Sequence, residues 1–412
     1  MNPKQLGRLL GGRGRRQDRF GEGLPDIHSL VDLRRAAGRR LPRAIFDYLE
    51  GGAEQERTVR ANLARYDGCR FHPRALTGSS TPDLSLTLFG DRLPLPVGLA
   101  PTGYTRLIHR EGEIAVARAA GRLGVPYAAA TMANTALGEI AAAAPGPLWF
   151  QLYASSDWAV TEQLVGEAER AGCRALLLSV DTQVAGQRLR DLRNGLTIPP
   201  SASWRALLGI ALRAGYSRGL LSGPELGFAN FEAPSAPSSG GIAQITRSFE
   251  ASLAWEHLHQ LRQRWHGALL LKGPLGPSDV ARAVAEGCDG VYLSNHGGRQ
   301  LDRTAHPLDL LAAARREVGQ QVALLVDSGI RSGADVAIAL GLGADLCLVG
   351  RPYLYGLAAA GERGVGQVIK MIRDELERTM HLLGVGGVRE LRQMGSSLVS
   401  LGGDSAGFGL RS

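Results

Sequence analysis

Two rhythms of apolar residues alternate along this 412-residue chain. Short β-prone runs of four to six residues occur at 97–100, 126–130, 148–152, 175–180, 268–271, 290–293, 322–326 and 346–349. Nearly continuous apolar runs of this length read as parallel strands buried on both faces. Between them, stretches such as 111–123, 159–171, 277–286, 307–318 and 332–342 repeat their apolar positions every three or four residues. That is the period of a helix packed on one face. Eight strand candidates alternating with helices predict an α/β fold, a closed (β/α)8 TIM barrel rather than an open sheet.

The pattern differs at two places. Ahead of the first strand it predicts a helix over 27–37 and a second, opened by Leu41-Pro42, that runs to Leu49 and stops at Gly51-Gly52. After the fourth strand the step from Leu176 to Leu269 is 93 residues, whereas the other steps are roughly 20 to 35, so a long insertion stands on the face where barrels place their chemistry. Within it, 204–213 is apolar enough for an interfacial helix and 233–241 reads as a flexible Pro/Ser/Gly linker. A packed lid and a membrane contact are both open readings of this loop. The expected organisation is a basic, flexible leader over 1–40, a barrel domain over 41–395 that contains the inserted loop 182–250, and a tail over 396–412.

Composition narrows the function classes. At 44% hydrophobic and 21% charged the chain is ordinary globular material. Cys69, Cys173, Cys288 and Cys347 are too scattered for a zinc site, so no metal is expected. The net charge of +8 is concentrated in residues 1–43, where Lys4 and ten arginines face four acidic residues, a surplus of seven. This leader has no interleaved aromatics to stack bases, so no nucleic-acid partner is expected. No apolar run reaches the roughly 18–20 residues of a membrane span, and the N-terminus has no signal-peptide core. The expected location is cytoplasmic, with peripheral contact at the inner face of the cell membrane left open.

The chemistry gathers at strand ends. Ser294-Asn295-His296-Gly297-Gly298-Arg299-Gln300-Leu301-Asp302 follows the sixth strand. His296 exchanges a proton near neutral pH, Arg299 offers a planar fork for a carboxylate, and Gly297-Gly298 lets the backbone turn tightly enough for both to face one ligand. After the seventh strand come Asp327-Ser328-Gly329-Ile330-Arg331, and after the eighth Gly350-Arg351. Barrels bind phosphate at these two loops, through glycine backbone N–H groups, a helix N-terminus and added arginines. Lys272 emerges from the fifth strand, either to meet an anionic group or to reach out of the barrel mouth.

The nonapeptide resembles the signature of the FMN-dependent α-hydroxy acid dehydrogenase and oxidase family. The resemblance extends in order from about residue 41 to 391, through Phe46-x-Tyr48, Pro101-Thr102-Gly103, Thr131, Gln151-x-Tyr153, Ser179-Val180-Asp181, Gly186-Gln187-Arg188 and the loops above. It implies FMN held by Pro101, Thr102, Gly103, Thr131, Gln151, Ser179, Lys272, Ser294, Asp327, Ser328, Gly329, Ile330, Arg331, Gly350 and Arg351. It implies a substrate carboxylate clamped by Arg188 and Arg299, hydrogen bonds from Tyr48 and Tyr153, and His296 as base with Asp181 behind it. The chain departs from the family where Asp181-Thr182-Gln183 replaces a common Asp-Thr-Pro, which puts the path of the Arg188 loop in question.

The segments 100–109 and 184–191 look most like the bacterial L-lactate dehydrogenase branch. The expected reaction is oxidation of an L-2-hydroxy acid, L-lactate to pyruvate first, with electrons passed to a quinone by a homotetramer. The alternatives are an oxidase that makes hydrogen peroxide from lactate, glycolate or mandelate, and a non-catalytic polyanion binder acting through the leader. Removal of the Cα–H proton and removal of the hydroxyl proton with hydride transfer both fit these residues.

Overall fold

A computed structural model describes residues 24, 27–79, 81–195, 209–224, 226–231 and 249–402. Eight parallel strands close on themselves in chain order: β1 (Val97–Leu99), β2 (Tyr127–Ala130), β3 (Leu148–Leu152), β4 (Ala175–Ser179), β5 (Ala268–Gly273), β6 (Gly290–Leu293), β7 (Ala323–Val326) and β8 (Leu346–Val349). Closure is made where Cys347, Leu348 and Val349 of β8 pair with Val97, Gly98 and Leu99 of β1. Each strand falls on one of the runs read from the sequence, and helices Gly112–Leu123, Trp158–Arg170, Pro277–Ala285, Pro307–Val318 and Gly333–Gly341 fall on the predicted helical stretches. The expected (β/α)8 barrel is the observed one.

The strand period of two sorts side chains between two cores. Leu148, Phe150 and Leu152 face the surrounding helices, while Trp149 points inward with Ala128, Ala175, Leu177, Leu270, Tyr292, Leu325 and Leu348. A hairpin of Leu86–Leu88 and Asp91–Leu93 supplies Leu88 and Leu93 to this inner cluster. Two residues beyond the last inner apolar layer, the same alternation directs Gln151, Ser179, Lys272, Ser294, Asp327 and Gly350 toward the barrel mouth. The site is thus the continuation of the inner core pattern in polar residues.

Three N-terminal helices lie across the barrel: α1 (Leu30–Arg40), α2 (Arg43–Glu50) and α3 (Arg57–Asp67). α1 starts later than predicted because Ser29 caps it: the Ser29 hydroxyl accepts from the Asp32 N–H at 3.2 Å, and the Asp32 carboxylate accepts from the Ser29 N–H at 3.0 Å. Leu30, Leu33 and Ala37 are buried on one face, against the helical run Arg351–Leu382. The leader boundary expected at 40 is therefore corrected, since the folded chain reaches back to 30. The tail boundary moves too, because Val399–Ser400 pairs with Arg70–Phe71. The hydrophobic pattern did not announce Arg351–Leu382, which is broken by non-helical backbone at Ala360 and Gly361.

In the insertion, Leu189–Asn194 and Ala214–Leu221 are helical and Ala229–Phe231 forms a 3-10 turn. Half of the interfacial helix expected at 204–213, its residues 204–208, and the whole linker expected at 233–241 lie outside the described residues.

Candidate active site

His296 stands in a turn that requires left-handed backbone at three consecutive residues, with φ of 57° at His296, 61° at Gly297 and 75° at Gly298. Glycine adopts this freely, but at a histidine it costs about 1–3 kcal/mol and persists only where surrounding contacts enforce it. The Ser294 hydroxyl accepts from His296 N–H at 3.1 Å, and the Ser328 hydroxyl accepts from Gly297 N–H at 3.3 Å. The Gly298 carbonyl accepts from Ala53 N–H at 2.8 Å. A Cβ on Gly298 would lie 2.8 Å from the Val59 backbone nitrogen, so only glycine lets α3 approach this closely.

The imidazole bridges two partners. Its Nδ1 lies 3.1 Å from Asp181 Oδ2, and its Nε2 lies 3.3 Å from the Tyr153 hydroxyl. Burial raises the Asp181 pKa, but the His296 imidazole, the Lys272 ammonium and the hydrogen bond to His296 outweigh it and hold the carboxyl at about 2. An ionised Asp181 selects the tautomer with hydrogen on Nδ1 and leaves the Nε2 lone pair toward the cavity. A base oriented from behind is the result.

The same chamber collects both expected arginines with Tyr48, Tyr153 and His296, and its remaining wall includes Tyr104, Met132, Phe249 and Gln300. The Arg299 guanidinium stacks 5.0 Å from the centre of the Tyr48 ring and donates from Nη1 to the carbonyls of Tyr48 and Gly51 at 2.8 and 2.9 Å. Burial, then the nearby Arg188, lower its pKa. Arg188 donates to Asp191 at 2.9 Å. The altered loop after Asp181 still delivers it, because Gln300 Nε2 donates to the carbonyls of Asp181 and Val184 at 2.8 and 3.1 Å. Two cations with unused donors, facing one chamber, suit a carboxylate.

A second, larger hollow shares Tyr48, Tyr153, His296 and Arg299 with this chamber. Ala100, Ala130, Leu348 and Val349 give it apolar walls, and Pro101, Thr102, Gly103, Gln151, Lys272, Asp327, Ser328, Gly329, Ile330, Arg331, Gly350 and Arg351 line it. Lys272 is buried, its Nζ 5.3 Å from the centre of the Tyr292 ring. Arg351 donates to the carbonyls of Leu49, Gly297 and Gly51 at 3.1, 2.9 and 2.8 Å. Burial, then repulsion from Arg299 and Arg331, lower its pKa to about 10. Asp335 accepts from Arg331 N–H at 2.7 Å, and burial raises its carboxyl to about 6. An apolar slot with a buried ammonium and mutually repelling guanidiniums fits a flat aromatic cofactor that carries a phosphate. FMN has that chemistry.

Three more of the residues expected to touch the cofactor hydrogen-bond to neighbouring parts of the site. Thr131 donates to the Gln151 carbonyl at 2.6 Å, Ser179 accepts from Gln151 Nε2 at 3.1 Å, and Ser294 holds the His296 backbone. Sequence reasoning missed the apolar lining from Ala100, Leu348 and Val349, whose only signal was their place at strand ends. It also missed Phe249, whose ring lies 4.7 Å from that of Tyr153, and Tyr353, whose hydroxyl donates to the Ala100 carbonyl at 2.9 Å and meets the Thr102 hydroxyl.

Comparisons with known proteins agree with this geometry. The L-lactate dehydrogenase of Caulobacter vibrioides is 40% identical over 374 residues, 89% of this chain and 97% of its own. The monotopic membrane protein (S)-mandelate dehydrogenase superposes with a TM-score of 0.86 at 36% identity, covering 91% of this chain and all of that one. A mandelate oxidase solved with (S)-4-hydroxymandelic acid gives 0.80 at 38% identity, covering 91% and 99%. The model of the FMN-dependent dehydrogenases matches residues 37–398, and with that match across nearly the whole described barrel the chain belongs to the FMN-dependent dehydrogenase family.

Proposed function

We propose that this protein oxidises an L-2-hydroxy acid to the 2-oxo acid, with L-lactate to pyruvate the first substrate to test. The observation that carries this reading is one chamber in which His296, backed by Asp181, faces the same space as Arg188 and Arg299. The two guanidiniums take the substrate carboxylate and so fix its α-carbon near Nε2. Tyr48 and Tyr153 supply hydroxyl donors beside it. His296 accepts a proton from the substrate, and the Asp181 carboxylate stabilises the resulting imidazolium. FMN, when bound, supplies the two-electron acceptor, while Lys272 places positive charge where electron density arrives.

The test is anaerobic. L-lactate, D-lactate, glycolate and L-mandelate are added separately to the yellow protein, and fastest bleaching by L-lactate is expected. Fastest bleaching by L-mandelate would instead make the aromatic acid the substrate, which the Tyr104 and Phe249 walls would accommodate. Slow reoxidation by O2 alongside fast reoxidation by a soluble quinone is expected for a dehydrogenase; rapid reoxidation by O2 would make it an oxidase.

A quinone acceptor places the working enzyme at the inner face of the cell membrane. Supporting this, Leu212 and Leu221 are exposed beside Arg213 and Arg218, and helix Ala214–Leu221 buries no residue. Among the described residues no carboxylate pairs with Arg40, Arg106, Arg110 or Arg218, which border one pocket on this side. No described helix is long and apolar enough to cross a membrane. Co-flotation with anionic vesicles, lost in high salt, is the expected behaviour. A homotetramer is the assembly to check by light scattering.

A further inference from the structure

We propose that Asn62, on α3 and outside both cavities, is a positioning residue for the base: through Asn295 it holds His296 in the left-handed conformation that aims the imidazole at Asp181. This rests on His296 acting as the base.

The Asn62 and Asn295 side chains exchange two hydrogen bonds, Asn62 Nδ2 to Asn295 Oδ1 at 2.9 Å and Asn295 Nδ2 to Asn62 Oδ1 at 2.7 Å. Both residues are buried. A reciprocal amide pair fixes the planes of both groups, because each oxygen and each nitrogen has only one orientation that satisfies both bonds. Asn295 immediately precedes His296, and its own N–H donates to the Ser328 hydroxyl at 3.3 Å while its carbonyl accepts from Gly298 N–H at 2.9 Å. With side chain, amide and carbonyl all engaged, Asn295 anchors the strained turn on its N-terminal side.

α3 is built to present Asn62 there. Thr58, Asn62 and Tyr66 recur at every fourth residue and are its buried face. At one end Asp302 accepts from Thr58 N–H at 2.8 Å, and at the other the Tyr66 ring meets His306 edge-on with centroids 5.4 Å apart. The helix is therefore pinned to segment 295–306 on both sides of the amide pair. Releasing the pair leaves the Asn295 side chain only its 3.4 Å bond to the Ala305 carbonyl, which loosens the peptide that sets His296 φ, and the imidazole is then expected to lose the 3.1 Å contact with Asp181.

The experiment compares Asn62→Ala, Asn295→Ala and the double variant, with Asn62→Asp as a near-isosteric second probe that loses one donor. Anaerobic reduction is followed with whichever 2-hydroxy acid bleaches the wild type. A displacement of about 1 Å at a reacting group costs on the order of 10²-fold in rate, so the limiting reduction rate is expected to fall roughly 10- to 100-fold. The substrate Kd should stay within a few-fold, because the Arg299 guanidinium is held by the carbonyls of Tyr48 and Gly51 and that of Arg188 by Asp191. The double variant should be no slower than the slower single one, the signature of a shared interaction. Crystal structures of the variants should show His296 out of hydrogen-bond reach of Asp181.

An unchanged limiting rate with His296 still on Asp181, or single effects that multiply in the double variant, would overturn the proposal. If His296→Gln reduces as fast as wild type, the base assignment itself fails. The crystal structures then decide the positioning claim alone: a displaced His296 in Asn62→Ala upholds it and an unmoved one overturns it.

Discussion

Replacing Asp181 by Asn keeps the shape of the group behind His296 and removes its charge. At about 3–4 Å and an effective dielectric constant of 20, opposite unit charges attract by roughly 4–5 kcal/mol. Burial opposes this, the Lys272 charge and hydrogen bonding add to it, and the balance appears as the lowering of the Asp181 pKa from 3.8 to about 2. At 1.36 kcal/mol per unit, that balance is about 2–3 kcal/mol. The Asp181 side chain is only 7% exposed, so solvent screening removes little of it. The same attraction stabilises the imidazolium that forms when His296 takes a proton, and its loss raises the barrier to substrate oxidation by about that amount. Asp181→Asn is therefore expected to reduce its flavin on the order of 10²-fold more slowly at saturating substrate, with FMN retained. Stopped-flow bleaching under nitrogen, repeated with α-deuterated substrate to establish that C–H cleavage remains limiting, measures it. A rate within threefold of wild type, with the isotope effect intact, would refute the claim that Asp181 acts through charge.

Three further outcomes follow from the same structure. Arg188→Met removes charge-assisted hydrogen bonds worth about 1.5–3 kcal/mol and should raise the substrate Kd roughly 10- to 100-fold; an unchanged Kd in a reductive titration would exclude Arg188 from the clamp. Gly329 has φ of 100°, and a Cβ there would collide with the Asn62 carbonyl oxygen, so Gly329→Ala should add at least about 1–2 kcal/mol of strain, visible as a lower Tm and as FMN lost on gel filtration, whereas wild-type values in both would show that the loop tolerates a side chain. Burial lowers His306 from 6.5 to about 4, so the unfolded chain takes up the proton first: the stability is full above about pH 6.5 and falls by about 3 kcal/mol as pH drops to 4. His306→Asn can keep the cap that Nδ1 provides to Leu308 N–H at 3.0 Å and removes the titration, so the difference in unfolding free energy between variant and wild type should grow across that window; parallel pH profiles would contradict it.

The barrel was legible in the hydrophobic pattern, and so was the gathering of polar residues at its mouth. Strand runs such as 148–152 and 290–293 are legible because side chains buried on both faces of a strand leave a short unbroken apolar signature, and helices such as Pro307–Val318 because one buried face repeats every 3.6 residues. His296, Arg299 and the phosphate loops were legible for a related reason: polar residues and glycines directly after such runs must lie at the barrel mouth.

Tertiary structure alone decided what depends on distance between parts remote in the chain. It showed that Thr131 and Ser179 both hydrogen-bond to Gln151, that Gln300 carries the departing loop back so Arg188 shares a chamber with Arg299, and that Asn62 pairs with Asn295 across 233 positions. Local pattern records only whether a residue is buried and on which side of its own element. Which buried group it meets is set by how elements close around the barrel, and no period within a single segment encodes that.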